Sequence, residues 1–430
     1  MQHDRNPAAA ARTQRVSTAA TQVDACVTPG DRLLAVAEAI EVLCDAARPS
    51  AATENLALAE APGRVLAEPL LAPIDVPGWD NSAMDGYALR ASDGAGAANR
   101  LPVRQRIAAG QAGEPLEPGS AARIFTGAPL PAGADCVLMQ EHCRADGDHI
   151  EFEGPLKSGM NVRRRGEDLS RGSEALATGT RLAAQHVGLA ASLGIARLNV
   201  FRKLRVAVFS TGDELREPGE KLAAGQIYNS NRYMLLALAE RCGCEAIDLG
   251  RVEDRLDATR AALRGAASKA DLILTSGGVS VGEEDHVRAA VEAEGTIHLW
   301  RVAMKPGKPL AFGQVAGTDF IGLPGNPVSS FVTFAIFVRP YLRLRQGRTD
   351  AQGSCWREVA ADFDWPHAGP RTEFARARLD CDGRARLYPQ QGSGVLSSVV
   401  WADGLVEIPR GRAIRSGEPV RYANWSALLD

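Results

Sequence analysis

Several features that would assign this chain of 430 residues to a particular class of protein are missing from its sequence. It contains no run of about 18 consecutive apolar residues, so it predicts no membrane-spanning helix. A formal net charge of −3 gives no indication of a nucleic-acid surface. The first residues lack the apolar core of a secretory signal, and segment 1–28 is predicted to be a disordered tail or, alternatively, a transit peptide.

Zinc-site spacing and the common nucleotide-binding motifs are also missing. The eight cysteines are scattered, and neither Cys-Gly-Cys at 242–244 nor Glu-His-Cys at 141–143 has the spacing of a zinc site. We interpret the cysteines as reduced thiols, which predicts a cytoplasmic protein. No GxxxxGK[ST] loop and no well-placed GxGxxG motif occurs, so neither a Walker loop nor a Rossmann fingerprint accounts for the glycines.

Short apolar runs alternate with helical patterns between residues 203 and 351. The central run starts at Asp271, stops at a Ser-Gly-Gly turn and is followed by an acidic segment. Strands are predicted at 204–209, 246–252, 271–275, 297–304 and 319–323, and helices at 230–241, 256–267, 287–292 and 328–338. Strands separated by helices predict a mostly parallel sheet, on which ligands bind at the carboxyl ends of the strands. We therefore expect the loops after these strands to converge on one site.

Charged side chains follow four of these strands. Carboxylates occur at Glu214, Asp254 and Asp285, and cations at Lys305 and Lys308. Carboxylates together with phosphate oxygens are the usual ligands of Mg²⁺, and lysines neutralise phosphate charge. The pattern favours a ligand that carries phosphate or pyrophosphate together with Mg²⁺. The alternative is that these are surface acids and solvated lysines, and three acidic loops at corresponding strand ends disfavour it.

The glycine turn at 276–278 comes directly before a helical pattern. Its unobstructed backbone N–H groups would hold an anion at the start of the helix. Pro306, Pro309, Pro324 and Pro327 stiffen two neighbouring loops. This suits a preorganised site, although prolines also serve only to end strands.

Segments before the α/β pattern indicate other domains. An amphipathic helix is predicted at 31–47, and the loop 74–90 holds polar residues between Pro and Gly. Trp79 and Met84 in this loop indicate a rim that packs against another surface. From 101 to 152, short strands broken by Gly and Pro indicate a small β lobe.

Three further segments complete the chain. The arginines at 163–165 beside two acids are either a solvated face or a contact for a phosphate or a partner subunit. A helix is predicted at 183–192. Beyond residue 346, a hairpin pattern at 372–387 around Asp382-Gly383 and later short strands indicate a C-terminal β domain.

Seven motifs occur in order along the chain. They are PGWDNSAMDGYA at 77–88, TGAPLP at 126–131, RRRGED at 163–168, STGDEL at 210–215, TSGGVSVGEED at 275–285, KPGKP at 305–309 and LPGNPVS at 323–329. Together they resemble the MoeA family of molybdopterin molybdenumtransferases, which also occurs as the E domain of gephyrin. The match covers nearly all of the chain after residue 28, and seven motifs in the same order are highly specific.

The resemblance implies a multidomain α/β plus β fold with four parts. They are a segmented helical base at 29–52 and 168–202, an inserted β lobe at 53–167, an α/β domain of the molybdopterin-binding type found in MoaB and MogA at 203–351, and a C-terminal β barrel at 352–430. The resemblance also implies an elongated homodimer. Its site would lie between the α/β domain of one subunit and the β lobe of the other, which gives the loop around 80–85 a function.

The reaction implied by the resemblance is insertion of molybdate into adenylylated molybdopterin with release of AMP. It implies Mg²⁺ as cofactor and a molybdopterin adenylyltransferase as substrate donor. The catalytic positions carried over by motif are Asp85, Thr126, Glu214, Asp254, Asp285 and Lys305, and the metal ligands among them are Asp254, Asp285 and Glu214. The substrate-binding positions are Asp168, Ser276, Gly277, Gly278, Ser280, Arg301, Lys308, Pro324, Pro327 and Ser393. Arg301 departs from the family pattern, because members of this family often carry Lys there. The planar guanidinium group of Arg keeps the charge but differs in shape from the ammonium group of Lys.

Two other functions stay open at this point. An adenylyltransferase that makes the adenylylated pterin from ATP would resemble the α/β domain, but the motif at 77–88 and the C-terminal domain argue against it. A dimeric scaffold that anchors another protein is a different class of function, which the gephyrin resemblance allows. Acidic and lysine residues in the loops favour an enzyme without excluding a scaffold role.

Overall fold

The computed structural model of the protein describes residues 33–96, 98–278, 286–350 and 355–430. Its largest element is a sheet of seven strands. In order across the sheet, the strands are Leu33–Leu34, Gly295–Val302, Pro309–Val315, Thr318–Leu323, Leu272–Ser276, Arg205–Thr211 and Glu245–Val252. All run parallel except Pro309–Val315, which is antiparallel to both of its neighbours. The predicted mostly parallel sheet is confirmed, and the carboxyl ends of its parallel strands share one edge.

Helices pack on both faces of this sheet. Ser230–Arg241 and Leu256–Ala267 have the bounds that the sequence predicts. One hydrophobic cluster joins the sheet to Ser230–Arg241 and Val36–Ala46, and a second joins it to Leu256–Ala267 and His286–Glu294. Because apolar side chains occupy both faces, polar groups collect at the ends of the strands.

Pro309–Val315 is a strand that the sequence prediction missed. Its Gly and Pro neighbours made the segment look like a loop, and no helix separates it from the next strand. A tight turn at Ala316 and Gly317, both with positive φ, returns the chain into Thr318–Leu323. The turn makes an antiparallel hairpin in an otherwise parallel sheet.

The prediction that a helix ends before Pro340 was wrong. Pro327–Thr333 is α-helical, Phe334–Val338 forms a π-helical turn, and Arg339–Arg345 continues as α-helix beyond Pro340. Proline lacks an N–H and clashes with a regular preceding turn, but here it stands in the first turn after the π-helical segment. The widened turn therefore lets the helix continue.

The first predicted helix, 31–47, is shorter than expected at its start. It spans Val36–Ala46, whereas Leu33–Leu34 is a strand that pairs with Arg301 and Val302. The apolar periodicity of these leucines suits either structure. The pairing with a distant strand therefore decided the outcome.

The β lobe contains a second sheet, of six strands. In order across the sheet they are Cys136–Met139, Gly86–Leu89, Ala121–Ile124, Ala98–Ile107, His149–Glu153 and Arg144–Asp146. The pair Asn81–Ser82 and Val162–Arg163 ties the polar loop to the arginine motif. Short 3₁₀ turns lie at Leu58–Glu60, Ala91–Gly94 and Gln140–His142. The short strands that the sequence predicts between residues 101 and 152 are present in this sheet.

Shorter elements make up the rest of the chain. Thr53–Ala57 pairs with Arg197–Phe201, Leu70–Leu71 pairs with Glu174–Leu176, and these pairs enclose a small core with the helix Ala184–Ser192. Leu215–Arg216 pairs with Ile227–Tyr228. The C-terminal sheet orders its strands as Met304–Lys305, Thr372–Leu379, Gly404–Ile408, Pro419–Asn424 and Arg357–Ala360, with Ala385–Leu387 beside Thr372–Leu379. Helices Ser397–Trp401 and Trp425–Leu429 flank it, and among the described residues no helix is long and apolar enough to cross a membrane.

We expect Gly313→Ala to destabilise the central sheet. A Cβ at Gly313 would lie 2.0 Å from the backbone oxygen of Thr296 in the paired strand, so the two strands would have to separate. Such overpacking costs about 1–3 kcal/mol, and the melting temperature should fall. Gly188→Ala is the control, because nothing lies within 4 Å of a Cβ there and alanine favours the helix. Equal melting temperatures for the two variants would contradict this account.

Candidate functional site

The carboxyl edge of the parallel strands brings together residues from distant parts of the chain. Thr211 ends one strand, and its Oγ1 donates a hydrogen bond of 3.2 Å to Oδ1 of Asp254, which follows the neighbouring strand. Glu214 lies in the loop after Thr211, and its carboxylate folds against Gly212, where a Cβ would come within 2.5 Å of Oε2. Thr211, Asp254 and Glu214 therefore belong to one region, as predicted for the two acids.

The glycine turn contacts the loop after the next strand. Gly277 N donates to Leu323 O at 3.0 Å, and a Cβ at Gly325 would lie 3.7 Å from the Cα of Gly277. Gly277 and Gly278 have φ of +87° and +65°, a conformation that side chains with a Cβ rarely adopt. A Cβ at Gly278 would also come within 2.4 Å of the Val287 side chain. Glycine is therefore required for the turn, and Ser276, the residue before it, is buried at the strand end.

Two further contacts hold the loop with Pro324 and Pro327. Nδ2 of the buried Asn231 donates to Gly325 O at 2.6 Å. Val328 N donates to Ser393 O at 3.0 Å, which brings the C-terminal loop to this edge. Ser393 was predicted, whereas Asn231 was missed, because an asparagine in the first turn of a helix is also common for local reasons.

The lysine loop is tied to the C-terminal sheet. Lys305 Nζ lies 3.0 Å from the Glu373 carboxylate, and the backbones of Met304–Lys305 and Thr372–Glu373 pair. Glu373 was missed because its distance along the chain hides the pairing. Lys308 O accepts a hydrogen bond from Val302 N at 2.8 Å, and Arg301 lies in register with Leu33 and Pro309. Lys305, Lys308 and Arg301 are thus at the predicted edge, with Lys305 already paired to an acid.

The predicted metal ligands are only partly described. Ser280 and Asp285 lie outside the described residues. Within the described ranges, no group of three or more His, Cys, Asp or Glu residues could hold a metal ion. Glu214 and Asp254, the two proposed ligands that the structure describes, supply oxygen donors of the kind that Mg²⁺ prefers.

A second cluster lies in the β lobe and joins Asp85 to Thr126. Oδ1 of Asp85 accepts two hydrogen bonds of 2.8 Å, one from the backbone N–H and one from the hydroxyl of Thr126. The bond from the backbone N–H of Thr126 lowers the pKa of Asp85 below its ordinary value, and the bond from the Thr126 hydroxyl lowers it further. Asp85 is therefore a carboxylate at neutral pH. Among the described residues, no hydrogen bond or ion pair links this cluster to the strand edge.

The arginine motif contacts the polar loop. Arg164 Nη1 lies 2.7 Å from Asp80, and Arg165 Nε lies 2.6 Å from Asp75. Asp168 N donates to Val76 O at 3.0 Å. Arg164 and Arg165 are thus ion-paired within the lobe and also exposed, which agrees with the interpretation of a solvated face, and Asp168 lies where the motif meets the loop.

We expect Thr126→Val to raise the pKa of Asp85 toward its ordinary value, while the backbone N–H still keeps it below that value. The folded-state pKa of Asp85 is lowered, so its contribution to stability is present above the unfolded pKa and is lost as pH falls through the folded pKa. In Thr126→Val that loss should be complete at a higher pH, because the folded-state pKa lies closer to the unfolded value. Titration of the Asp85 carboxylate by NMR would measure its pKa in the folded protein, and Thr126→Ser is the control that keeps the hydroxyl. A shift of the same size in both variants would contradict a role for the hydroxyl bond.

Comparisons with known proteins match three regions of the chain to family models. The chain matches the MoeA N-terminal region (domains I and II) over 34–194, a probable molybdopterin binding domain over 207–344, and the MoeA C-terminal region (domain IV) over 358–425.

Named relatives cover most of the chain. It is 40% identical over 383 residues to molybdopterin molybdenumtransferase of Haemophilus influenzae, covering 88% of this chain and 95% of the relative. It is 39% identical over 364 residues to molybdopterin molybdenumtransferase 2 of Mycobacterium tuberculosis, covering 82% and 90%. The crystal structure of the molybdopterin biosynthesis MoeA protein from Pyrococcus horikoshii OT3 superposes with a TM-score of 0.80 at 31% identity, over 92% of this chain and 100% of that one. The chain therefore belongs to the MoeA family, in which these relatives carry the name molybdopterin molybdenumtransferase.

Proposed function

We propose that this protein is a molybdenum insertase that transfers molybdenum from molybdate to adenylylated molybdopterin and releases AMP. The observation that carries the proposal is the shared strand edge, where the Thr211–Asp254 pair, the glycine turn and the Gly325 loop lie together. Membership of the MoeA family and the names of its curated relatives support the same reaction class.

The strand edge would bind the pyrophosphate of the adenylylated substrate. Lys305 and Lys308 would neutralise the phosphate oxygens, and the N–H groups of the turn would donate hydrogen bonds to them. The contact between Lys305 and Glu373 means that substrate phosphate would compete with a carboxylate. The other proposed substrate contacts are Asp168, Ser276, Gly277, Gly278, Ser280, Arg301, Pro324, Pro327 and Ser393.

Asp254, Asp285 and Glu214 would hold Mg²⁺ beside the pyrophosphate. Their oxygen donors suit this ion, which when bound polarises a phosphoryl oxygen. Thr211 contributes by donating its hydroxyl hydrogen to Asp254, which orients that carboxylate before any ligand arrives. The glycine turn leaves room for phosphate oxygens beside these acids.

The protein would act as a homodimer. Asp85 and Thr126 form their own cluster, and a partner subunit is the means by which they would meet the strand edge and position molybdate. Trp79 and Met84 in the neighbouring loop are 55% and 41% exposed, which suits a surface that packs against another chain. Completion of the site by two subunits would then couple activity to dimerisation.

The same proposal includes a C-terminal barrel, an enzyme that supplies the substrate and a location in the cytoplasm. The C-terminal strands would close into a barrel, which is supported by a bridge between Ala361, directly after the end strand Arg357–Ala360, and Ala385 in the strand beside Thr372–Leu379. A molybdopterin adenylyltransferase would supply the substrate. The free cysteines among the described residues suit a cytoplasmic protein.

We expect AMP release that requires molybdate when the purified protein and Mg²⁺ are incubated with adenylylated molybdopterin. AMP release and formation of active cofactor should rise together, because molybdenum insertion is coupled to cleavage of the phosphoanhydride. Synthesis of adenylylated pterin from ATP would instead identify an adenylyltransferase. Neither reaction would favour the scaffold function.

We expect Asp285→Asn and Asp254→Asn to reduce kcat by about 100-fold, because loss of one electrostatic ligand near a transferring phosphoryl group has effects of about 10²–10³. The melting temperature of Asp254→Asn should change little, since a polar pair at a partly exposed position contributes about 0–1 kcal/mol. Asp257→Asn, an exposed acid in the next helix, is the control and should keep full activity. A comparable loss of thermal stability would contradict the assignment of the two acids.

A further inference from the structure

A row of arginine and aromatic side chains crosses the six-stranded sheet of the β lobe. In the strand register, Tyr87 lies opposite Arg123, and Arg123 lies beside Arg106. The Cζ atom of Arg123 is 5.0 Å from the ring centroid of Tyr87 and 4.8 Å from that of Phe125. The Cζ atom of Arg106 is 4.5 Å from the same Phe125 ring. Aromatic rings and guanidinium groups therefore alternate along the row.

The row ends beside the cluster of Asp85 and Thr126. Thr126 directly follows Phe125 in the sequence. Nη1 of Arg123 donates to Gly86 O at 3.0 Å, and Nη2 donates to Gln140 Oε1 at 2.5 Å. Gln140 N in turn donates to Asp85 O at 3.1 Å. Both Nη atoms of Arg123 thus form hydrogen bonds within the lobe. Through these bonds Arg123 stabilises the strand ends next to Asp85 and Thr126.

An open groove runs along this row, with three arginines and one acid among its lining residues. The residues that contribute charge are Arg104, Arg106, Arg123, Asp148 and His149. Asp148 forms a hydrogen bond with His149 at 2.5 Å. The groove therefore has an excess of positive charge.

The strand Ala98–Ile107 contains an internal comparison. Arg100 on this strand is ion-paired, with Asp146 at 2.9 Å and with Glu151 at 3.4 Å. Arg104 and Arg106 on the same strand are exposed, and neither forms an ion pair with any residue that the structure describes. Arg100 is thus ion-paired by the lobe itself, whereas Arg104 has a Coulombic attraction to Asp148 without forming an ion pair with it.

We propose that this groove binds a tetrahedral oxyanion through Arg104 and Arg106. A guanidinium group presents paired N–H donors that match an oxyanion, and stacking on Phe125 restricts Arg106 while its N–H edges remain available. The oxyanion is either molybdate or the phosphate of a nucleotide, and both carry the same charge pattern. Arg123 is a positioning residue that keeps Phe125 and Arg106 in place.

The site would bring an oxyanion to the neighbourhood of the Asp85–Thr126 cluster before the substrates meet. Attraction by exposed arginines weakens with ionic strength, because mobile ions screen charges separated by about 8 Å at physiological salt. The inference depends on the proposed function only for the choice of molybdate and AMP as probes. Binding is measured without turnover, so its failure is distinguishable from a failure of the insertase reaction.

The test is protection of individual arginines from phenylglyoxal, which reacts with guanidinium groups, mapped by peptide mass spectrometry on the whole protein. Separate arms contain molybdate, AMP, or sodium chloride at matched ionic strength. We expect molybdate or AMP to slow modification of Arg104 and Arg106 by at least about threefold relative to chloride, as expected for charge-assisted contacts at an exposed site. Arg100, already ion-paired, is the internal control and should react equally in all arms.

Substitutions make the test independent of the labelling chemistry. Arg104 is chosen for substitution because it contacts no aromatic ring among the described residues. In calorimetry at low ionic strength, Arg104→Gln should weaken anion binding by about fivefold, whereas Arg100→Gln should leave it unchanged. Protection by molybdate alone, or by AMP alone, supports the site and identifies the source of the oxyanion. Protection in neither arm, equal protection of Arg100, or equal weakening by both substitutions overturns it.

Discussion

Burial of the central sheet on both faces is the constraint on which the rest of this structure depends. Every residue of Leu272–Ser276 is buried, as is nearly all of Arg205–Thr211. Backbone groups in such strands must pair with neighbouring strands, and apolar side chains must fill both faces. Ionisable and hydroxyl groups are stable only where the strands end. The polar chemistry of the α/β region is therefore concentrated at one edge, where described parts of the loops contact one another.

Contacts at this edge also join the parts of the molecule. The backbone near Lys305 pairs with the C-terminal sheet, Ser393 O accepts the N–H of Val328, and Leu33 pairs with Arg301. Each contact brings a segment far away in the chain to the same strand ends. The C-terminal domain attaches both at these loops and through apolar packing, because Phe374, Leu405 and Leu428 belong to the same buried cluster as the strands of the central sheet.

The β lobe differs from the central sheet because it carries many charged side chains on a small core. Its acids and arginines are paired between the polar loop and the arginine motif, through Asp75, Asp80, Arg164 and Arg165. The Asp85–Thr126 cluster is stabilised by hydrogen bonds rather than by burial, so its carboxylate stays charged and accessible.

The sequence by itself determined the alternation of strands and helices, two helices with their bounds, and the sheet edge at which the described candidate residues of the α/β region lie. Apolar periodicity and glycine turns are local signals, and the topology of parallel sheets converts them into a location. The family resemblance added Asp85, Thr126 and Ser393, which no periodicity selects.

Only the tertiary structure decided the strand Pro309–Val315, the continuation of the helix beyond Pro340, and the strand at Leu33–Leu34. It also decided that Glu373 pairs with Lys305 and that Asn231 holds Gly325. The physical reason is the same in each case. The hydrogen-bonding groups of each segment pair with residues far away in the chain. A local sequence pattern carries no information about those partners.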